Sequence, residues 1–285
     1  MSEPSQPSVV YMKAARTPKK TSAPTSAAEK KDRHFVTALS RGLDIMRCFN
    51  AQRSRLGTSE IAQITGLPQP TVWRLCHTLI SLGYLVPTRE NDKLRVGAPV
   101  LSLGYAALAE LDYAQIARPH MQELAARFQG AVALAERDRL SMLYIERCQG
   151  NAVFLMNLPV GSRIPIYNSA VGWAHLAGLP FDEREQLLEQ IQRAAGDTWR
   201  THKANIDQAL IGYAEHGFVI NCGIQHPDVN AAAVPVRSAD GRTLLSLNCG
   251  AANSVISRTM LITEVGPALQ KLARVLHAQP VKGHH

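Results

Sequence analysis

The sequence predicts an α+β protein: an N-terminal winged helix-turn-helix domain, a helical linker, and a C-terminal α/β domain with a mostly antiparallel sheet. Three observations carry this reading. Two short amphipathic helices with a glycine-containing connection are read between Ser59 and Ser81. All of the net charge lies before residue 97. After Gly130 the apolar pattern changes from a helical period to short strand-like runs.

Ile61, Ala62 and Ile64 make the apolar face of the first short helix, with Ser59 as its expected N-cap. Gly66-Leu67-Pro68 supplies a C-terminal glycine followed by a proline, a stop signal. The next helix has Pro70 in its first turn, where a missing N–H costs nothing. Val72, Leu75, Cys76 and Leu79 recur at i, i+3, i+4 and i+7 and so share one face toward a core. Pro70, Trp73, Arg74, His77 and Ser81 fall on the other face, with Gln69 and Thr71 at the N-terminal tip. Two helices so joined describe a helix-turn-helix whose second helix enters the major groove. Tyr84–Thr88 and Lys93–Val96 flank the turn Glu90-Asn91-Asp92 and read as a β-hairpin wing. Upstream, Ser40 to Phe49 reads as a further helix with Leu39, Leu43, Met46 and Phe49 on its core side.

Residues 1–33 hold seven Lys/Arg against three acids, and residues 34–96 hold eight against four, so each segment carries +4. The remaining residues balance, which leaves the whole +8 in the first third. Phosphate neutralisation needs such a basic segment, whereas a uniformly basic enzyme would spread its charge. The expected DNA contacts are Ser59, Gln69, Pro70, Thr71, Trp73, Arg74 and His77, with Arg89, Lys93 and Arg95 serving the wing and backbone.

The expected domains are a disordered basic tail over 1–33, the winged helix-turn-helix over 34–97, a linker helix with a dimerisation role over 98–118, and an effector-binding domain over 119–285. The tail is rich in Ser, Thr, Pro, Ala and Lys, with too few apolar side chains to offset ordering entropy. It either touches phosphates or solubilises. Apolar residues between Leu101 and Leu111 exceed what a connector needs, so part of this helix is expected against a partner chain. Pro119 is expected to end or kink one helix and open the next. Strands are expected at Ala131–Glu136, Leu143–Arg147, Val153–Leu158, Phe218–Cys222, Ala231–Val236 and Thr243–Asn248, with Asp240-Gly241 as a hairpin signal. Helices are expected at 171–178, 182–195, 204–216 and, at the C-terminal end, Ser257–His277.

Signals for other chemistry are weak. Cys48, Cys76, Cys148, Cys222 and Cys249 are scattered and odd in number, which suits a reducing cytoplasm. Cys222 and His226 are spaced C-x3-H, but no second pair completes a metal site. No nucleophile elbow or phosphate-cradling glycine loop occurs, so no catalytic residue, metal or cofactor is expected. The longest weakly polar run, Val96 to Ala109, is too short to span a bilayer.

The chain after residue 34 resembles the IclR family of bacterial transcriptional regulators. The resemblance rests on Gly66-Leu67-Pro68-Gln69-Pro70-Thr71-Val72-Trp73-Arg74-Leu75 with Gly83-Tyr84, on Val160-Gly161-Ser162-Arg163-Ile164-Pro165 with Ser169-Ala170-Val171-Gly172, and on Gly217-Phe218, Ala232-Ala233-Val234-Pro235-Val236 and Asp240-Gly241 in shared order and spacing. It implies a GAF-like effector-binding second domain, DNA binding as a dimer or dimer of dimers, and no catalysis. It also implies an effector held against the central sheet by strand residues and by the Ser169-Ala170 loop. Counted from the Asp240-Gly241 turn, positions that in the family often carry a small acid, a Cys and two Ser are here Asn221, Ala231, Asn248 and Gly250, with Cys222 beside the first. Carboxamides offer donors and acceptors together, so this departure bears on the effector's identity.

Two readings therefore stand. The first is a cytoplasmic, nucleoid-associated bacterial regulator, repressor or activator, that binds a palindromic site on double-stranded DNA under control of a small organic effector such as a carboxylate or aromatic acid. The second is a small-molecule-binding or enzymatic domain tethered to DNA by the N-terminal module. Charge partition favours the first.

Overall fold

A computed structural model describes residues 34–89, 92–109, 112–150 and 158–278. The expected tail over 1–33, the turn residues Glu90 and Asn91, the position Leu111, and residues 153–157 of the expected strand Val153–Leu158 lie outside these. The chain divides into two units between Gly104 and Tyr105.

The first unit holds helices α1 (Thr37–Arg47), α2 (Thr58–Thr65) and α3 (Gln69–Ser81) and the antiparallel strands β1 (Leu85–Pro87) and β2 (Leu94–Val96). Leu56 bridges to Leu94 and adds a third short pairing beside β2. Ile45, Cys48, Phe49, Leu56, Ile61, Val72, Cys76, Leu85 and Leu94 form its core. The expected core face of α1 needs correction. Met46 and Phe49 pack as expected, but Leu39 and Leu43 are exposed, because Ile45 and Met46, with Cys48 and Phe49 just beyond the helix, engage the core only at its C-terminal end. Gly57, not Ser59, is the N-cap of α2: Glu60 reaches back to accept the Gly57 N–H at 2.7 Å, which places Ser59 inside the first turn. Gly97 lets the end of the wing close on the turn after α3. A Cβ there would stand 2.0 Å from the Gly83 carbonyl oxygen, while its own N–H donates to the Tyr84 carbonyl at 2.8 Å. Helix α4 (Pro99–Ala109) follows and runs across the division between the units.

The second unit begins with α5 (Asp112–Phe128), which continues through Pro119 instead of breaking there. Proline removes only one ladder bond, whereas Ala117, Met121 and Ala125 are fully buried, and their packing holds the helix together. Then come β3 (Ala131–Asp138), β4 (Ser141–Gln149), the short β5 (Arg163–Pro165), α6 (Ala170–Gly178), α7 (Phe181–Ala195), α8 (Trp199–His216), β6 (Val219–Cys222), β7 (Val229–Arg237) and β8 (Leu244–Ala252). The expected terminal helix is divided into α9 (Arg258–Met260), a π segment Leu261–Val265 and α10 (Gly266–His277). Pro267 has no N–H to continue the regular ladder, which accounts for the change of period before it.

The strands form one sheet in the order β5-β4-β3-β8-β7-β6, every neighbouring pair antiparallel. Helices cover both faces. Val132, Leu134, Ile145, Val234, Leu247 and Cys249 face a cluster that includes Met121, Phe128, Leu269 and Leu276. Ala133, Ala135, Tyr144, Val219, Ala231 and Ala233 face the cluster built by Val171, Trp173, Leu188, Ile191 and Ile206. Along a strand the two sets alternate, as a period of two requires.

Helix α6 is buried over most of its length, including His175 at 3 % exposure, whose two ring nitrogens have no hydrogen-bond partner. Burial, with smaller repulsion from Arg137 and Arg237, lowers its pKa from 6.5 to about 4. Unfolding restores the ordinary value. Below about pH 6.5 the unfolded chain therefore takes up a proton that the native chain refuses, and stability falls until the native His175 also protonates near pH 4. The loss from this group reaches on the order of 3 kcal/mol. His175→Asn should flatten denaturant-unfolding stability between pH 7 and 4.5 relative to the parent chain. Parallel pH profiles for the two proteins would show that His175 does not titrate in this way.

Candidate functional site

Helix α3 builds the first candidate site. Val72 and Cys76 are buried, with Leu75 and Leu79 packed beside them, so the opposite side of the helix is turned outward. Trp73 is 60 % exposed, and its ring lies 5.6 Å from that of His77, inclined at 31°. Gln69, Pro70, Arg74 and His77 are exposed and Thr71 half-buried. Gln69 Nε2 donates to Ser59 Oγ at 3.0 Å, which fixes the tip of α3 against α2. In the wing, Lys93 Nζ stands 3.7 Å from Glu60 Oε2, the same carboxylate that caps α2. Arg95 donates from Nη1 to the Val96 carbonyl at 3.2 Å and stays exposed, as does Arg89. A concavity of about 360 Å³ beside β2 is lined by Phe49, Asn50, Ser54, Arg55, Arg95 and Val96. The site thus presents an aromatic pair and Arg74 on a helix, with further cations on the adjoining ribbon. That arrangement can touch base edges and phosphates.

The second candidate site is the sheet face under α6. Register places Ala131, Gly250, Ala231 and Asn221 in one row across β3, β8, β7 and β6. The next row holds Arg147, Ala133, Asn248, Ala233 and Val219. A third holds Tyr144, Ala135, Ser246 and Pro235. Five alanines and a glycine make the centre of this face a floor of very small side chains. Gly172 brings α6 close over it by way of the turn Ile166–Asn168, since a Cβ there would lie 2.4 Å from the Ile166 backbone.

Ala231, Asn248, Gly250 and Asn221 share this face. Their states differ. Asn221 is fully engaged: Nδ2 donates to the Asn168 carbonyl at 2.9 Å, and Oδ1 accepts from the N–H groups of Ile224 and Gln225 at 3.1 and 3.3 Å. It ties the turn before α6 to the β6–β7 connection. Ser169 caps α6, accepting from the Gly172 N–H at 3.2 Å and donating to the Pro165 carbonyl at 2.6 Å, and Ala170 is buried beside it. Asn248 is hydrogen-bonded to the Tyr144 hydroxyl, yet its Oδ1 is buried without a partner, and so is Ser246 Oγ. Burial raises the Tyr144 pKa, with the Asn248 hydrogen bond a smaller opposing cause. Cys222 does not join the group. Strand alternation puts it on the opposite face, packed against the cluster of α5 and α10.

Sequence reasoning missed Tyr144, Arg147 and Ser246. Tyr144 and Arg147 are three residues apart and would oppose each other in a regular strand. A bulge at Leu134/Ala135 against β4 shifts the register, so Tyr144 pairs with Ala135 and Arg147 with Ala133, on one face. Ser246 follows from Asn248 by period two, and that signal was available in the sequence.

The family description "IclR helix-turn-helix domain" matches residues 38–89, and "Bacterial transcriptional regulator IclR C-terminal" matches residues 105–278. The HTH-type transcriptional regulator TsaQ1/TsaQ2 of Comamonas testosteroni is 32% identical over 247 residues, which are 86% of this chain and 88% of that protein. The crystal structure of an IclR family transcriptional regulator from Brucella abortus is 39% identical, covers 90% of this chain and 97% of its own, and superposes with a TM-score of 0.82. An IclR homolog from Microbacterium hydrocarbonoxydans, complexed with 4-hydroxybenzoate, shares the fold at 24% identity and a TM-score of 0.63, covering 84% of this chain and all of its own. The chain belongs to the IclR family of bacterial transcriptional regulators, with a helix-turn-helix domain that binds DNA and a C-terminal domain that binds an effector.

Proposed function

We propose that α3 reads the operator through Gln69, Thr71, Trp73, Arg74 and His77, that the wing tracks the backbone through Arg89 and Arg95, and that a small organic effector on the sheet face under α6 changes operator affinity. The exposed face of α3, with its apolar side committed to a core, carries this reading. Lys93 and Ser59 take lesser roles, because Glu60 and Gln69 already engage them. The role is binding and switching, not catalysis, in keeping with relatives named as regulators. Among the described residues no helix is long and apolar enough to cross a membrane.

Arg74 lies on the face opposite Val72 and Cys76, so Arg74→Ala should leave the fold intact. Operator affinity should drop by about 1–3 kcal/mol if Arg74 grips a guanine bidentately. Gel shifts with the folded variant measure this, and unchanged affinity removes Arg74 from the interface. Arg89→Ala or Arg95→Ala should weaken binding to all sequences alike and flatten the salt dependence.

A single recognition helix reads few base pairs, whereas two held a helical turn apart read a palindrome. Leu101, Leu103 and Tyr105 of α4 are exposed apolar side chains, which favours a self-associating chain. Sedimentation of the full chain at micromolar concentration should give a dimer or larger species. A monomer that binds its operator tightly contradicts this.

For the effector we place Ala231, Gly250 and Asn248 beneath the ligand and Ser169 and Ala170 at its edge, with Asn221 as a strut of the site. Asn248→Ala should cost roughly 1–3 kcal/mol of effector binding and spare effector-free DNA binding. To switch, the effector must favour one DNA-binding state, so operator must change effector affinity by the same factor. Calorimetry with and without operator tests both halves. Equal effector affinity in the two titrations defeats the switch, and wild-type binding by the variant defeats the placement.

A further inference from the structure

We propose that Glu60 limits the sequence-independent part of DNA affinity by holding the Lys93 ammonium away from the phosphates. This goes beyond the operator contacts proposed above and rests on one of them, that the wing tracks the DNA backbone. Helices α2 and α3 carry a single acid between them, Glu60. Its Oε2 accepts the Gly57 N–H at 2.7 Å and stands 3.7 Å from Lys93 Nζ. A glutamine at this position makes the same capping bond, since a carboxamide oxygen also accepts an N–H. The cap therefore does not account for the negative charge. The first helix of a helix-turn-helix crosses the DNA backbone, where a carboxylate is repelled. The contact with Lys93 gives that charge a use.

The backbone keeps this pair together. The Leu56 N–H donates to the Leu94 carbonyl at 3.0 Å, and the Leu94 N–H donates to the Leu56 carbonyl at 2.8 Å. That bridge joins the chain just before α2 to β2, and Glu60 and Lys93 lie on either side of it. The Lys93 carbonyl accepts from the Thr88 N–H at 2.7 Å and from the Thr88 hydroxyl at 2.9 Å, which fixes its place in the hairpin. Lys93 and Arg95 are two residues apart on one line of chain, so they point to the same side, while Leu94 between them turns into the core. Arg95 is exposed on that side and donates to the neutral Val96 carbonyl, whereas Lys93 meets a carboxylate. The side chains of Lys93 and Glu60 are 39% and 47% exposed, and an ion pair so open to water shifts an equilibrium by about two- to fivefold. That biases Lys93 between carboxylate and phosphate without locking the wing. A regulator competes with a large excess of non-specific DNA, and each phosphate contact strengthens its capture there. Withholding one cation lessens that capture and leaves the reading residues of α3 untouched.

Fluorescence anisotropy of the full chain on a random-sequence DNA duplex, across a potassium chloride series, tests this. Glu60→Gln should bind about two- to fivefold tighter, with the slope of log affinity against log salt steeper by about 0.9, the equivalent of one phosphate. Lys93→Gln should leave the slope of the parent chain nearly unchanged, and in the Glu60→Gln background it should return affinity and slope to parental values. A shallower slope for Lys93→Gln alone overturns the proposal, because Lys93 then already sits on a phosphate in the parent chain. That measurement stands whether or not Glu60→Gln weakens the fold. A gain from Glu60→Gln that persists without Lys93 also overturns it, since the carboxylate then acts by repelling phosphates directly. So does the absence of any gain in a Glu60→Gln protein with parental thermal unfolding. Arg95→Ala separates this proposal from the reading beneath it. If Arg95→Ala leaves the slope unchanged, the wing does not track the backbone and both fall. If it flattens the slope while Glu60→Gln changes nothing, the wing keeps its role and only that of Glu60 falls.

Discussion

Alternation of side chains across β7 and β8 is the constraint on which the C-terminal unit depends. Both faces of these strands are covered, yet the faces are not equivalent. Val234, Leu247 and Cys249 fill one side, and Ala231, Ala233, Asn248 and Gly250 make up the other. A slip of one residue would exchange them, driving branched side chains into α6 and leaving a void above α5 and α10. The small side also sets how near α6 can come. The contact of Gly172 with the Ile166 backbone holds the helix start low, and Asn221 pins the preceding turn from below. The same choice of small residues that permits close packing leaves the middle of the sheet nearly flat.

A flat, half-polar floor inside a domain is costly unless something uses it. Asn248 Oδ1 and Ser246 Oγ are buried acceptors without partners, each worth on the order of 1–3 kcal/mol of lost stability. Against a total stability of about 5–15 kcal/mol for an ordinary domain, that is a substantial fraction. Leucine or valine in these positions would relieve it. Retention of such groups makes physical sense where a ligand supplies the missing donors, since the same free energy then returns as affinity and selectivity. His175 belongs to a different class. Its unpartnered nitrogens are buried within α6 and its pKa is lowered by that burial, so its effect is read in pH stability.

Elements governed by local rules were legible in the sequence. The span of α3, its buried Val72 and Cys76, and the glycine and proline that separate it from α2 follow from periodicity and turn chemistry. Positions on β7 and β8 followed by counting from the Asp240-Gly241 turn, because antiparallel neighbours keep register from a hairpin. What escaped depends on longer-range facts. The bulge that turns Tyr144 and Arg147 to one face exists only in the pairing of β4 with β3. Helix α5 runs through Pro119 because the sheet packs against Ala117, Met121 and Ala125. Leu39 and Leu43 looked like core by spacing alone, and only the partner elements reveal that packing is confined to the C-terminal end, at Met46 and Phe49.

Charge teaches the same lesson in the first unit. Counting residues assigns the whole positive excess to the first third of the chain, and it treats every Lys and Arg there as equally available. Geometry does not. Lys93 is shared with Glu60, whose carboxylate also closes the first turn of α2, so moving Lys93 onto a phosphate would weaken an interaction that shapes the domain. Gln69 and Ser59 likewise spend their polar groups on each other. These contacts fix the angle between α2 and α3 before DNA arrives. Binding then costs less ordering, because the reading face of α3 is already positioned. Among the residues proposed to read the operator, Gln69 keeps this tie to Ser59, whereas Trp73 and Arg74 present their side chains outward without such a duty. Sequence identifies the basic surface, whereas the hydrogen bonds within that surface decide which of its groups are released to meet a ligand.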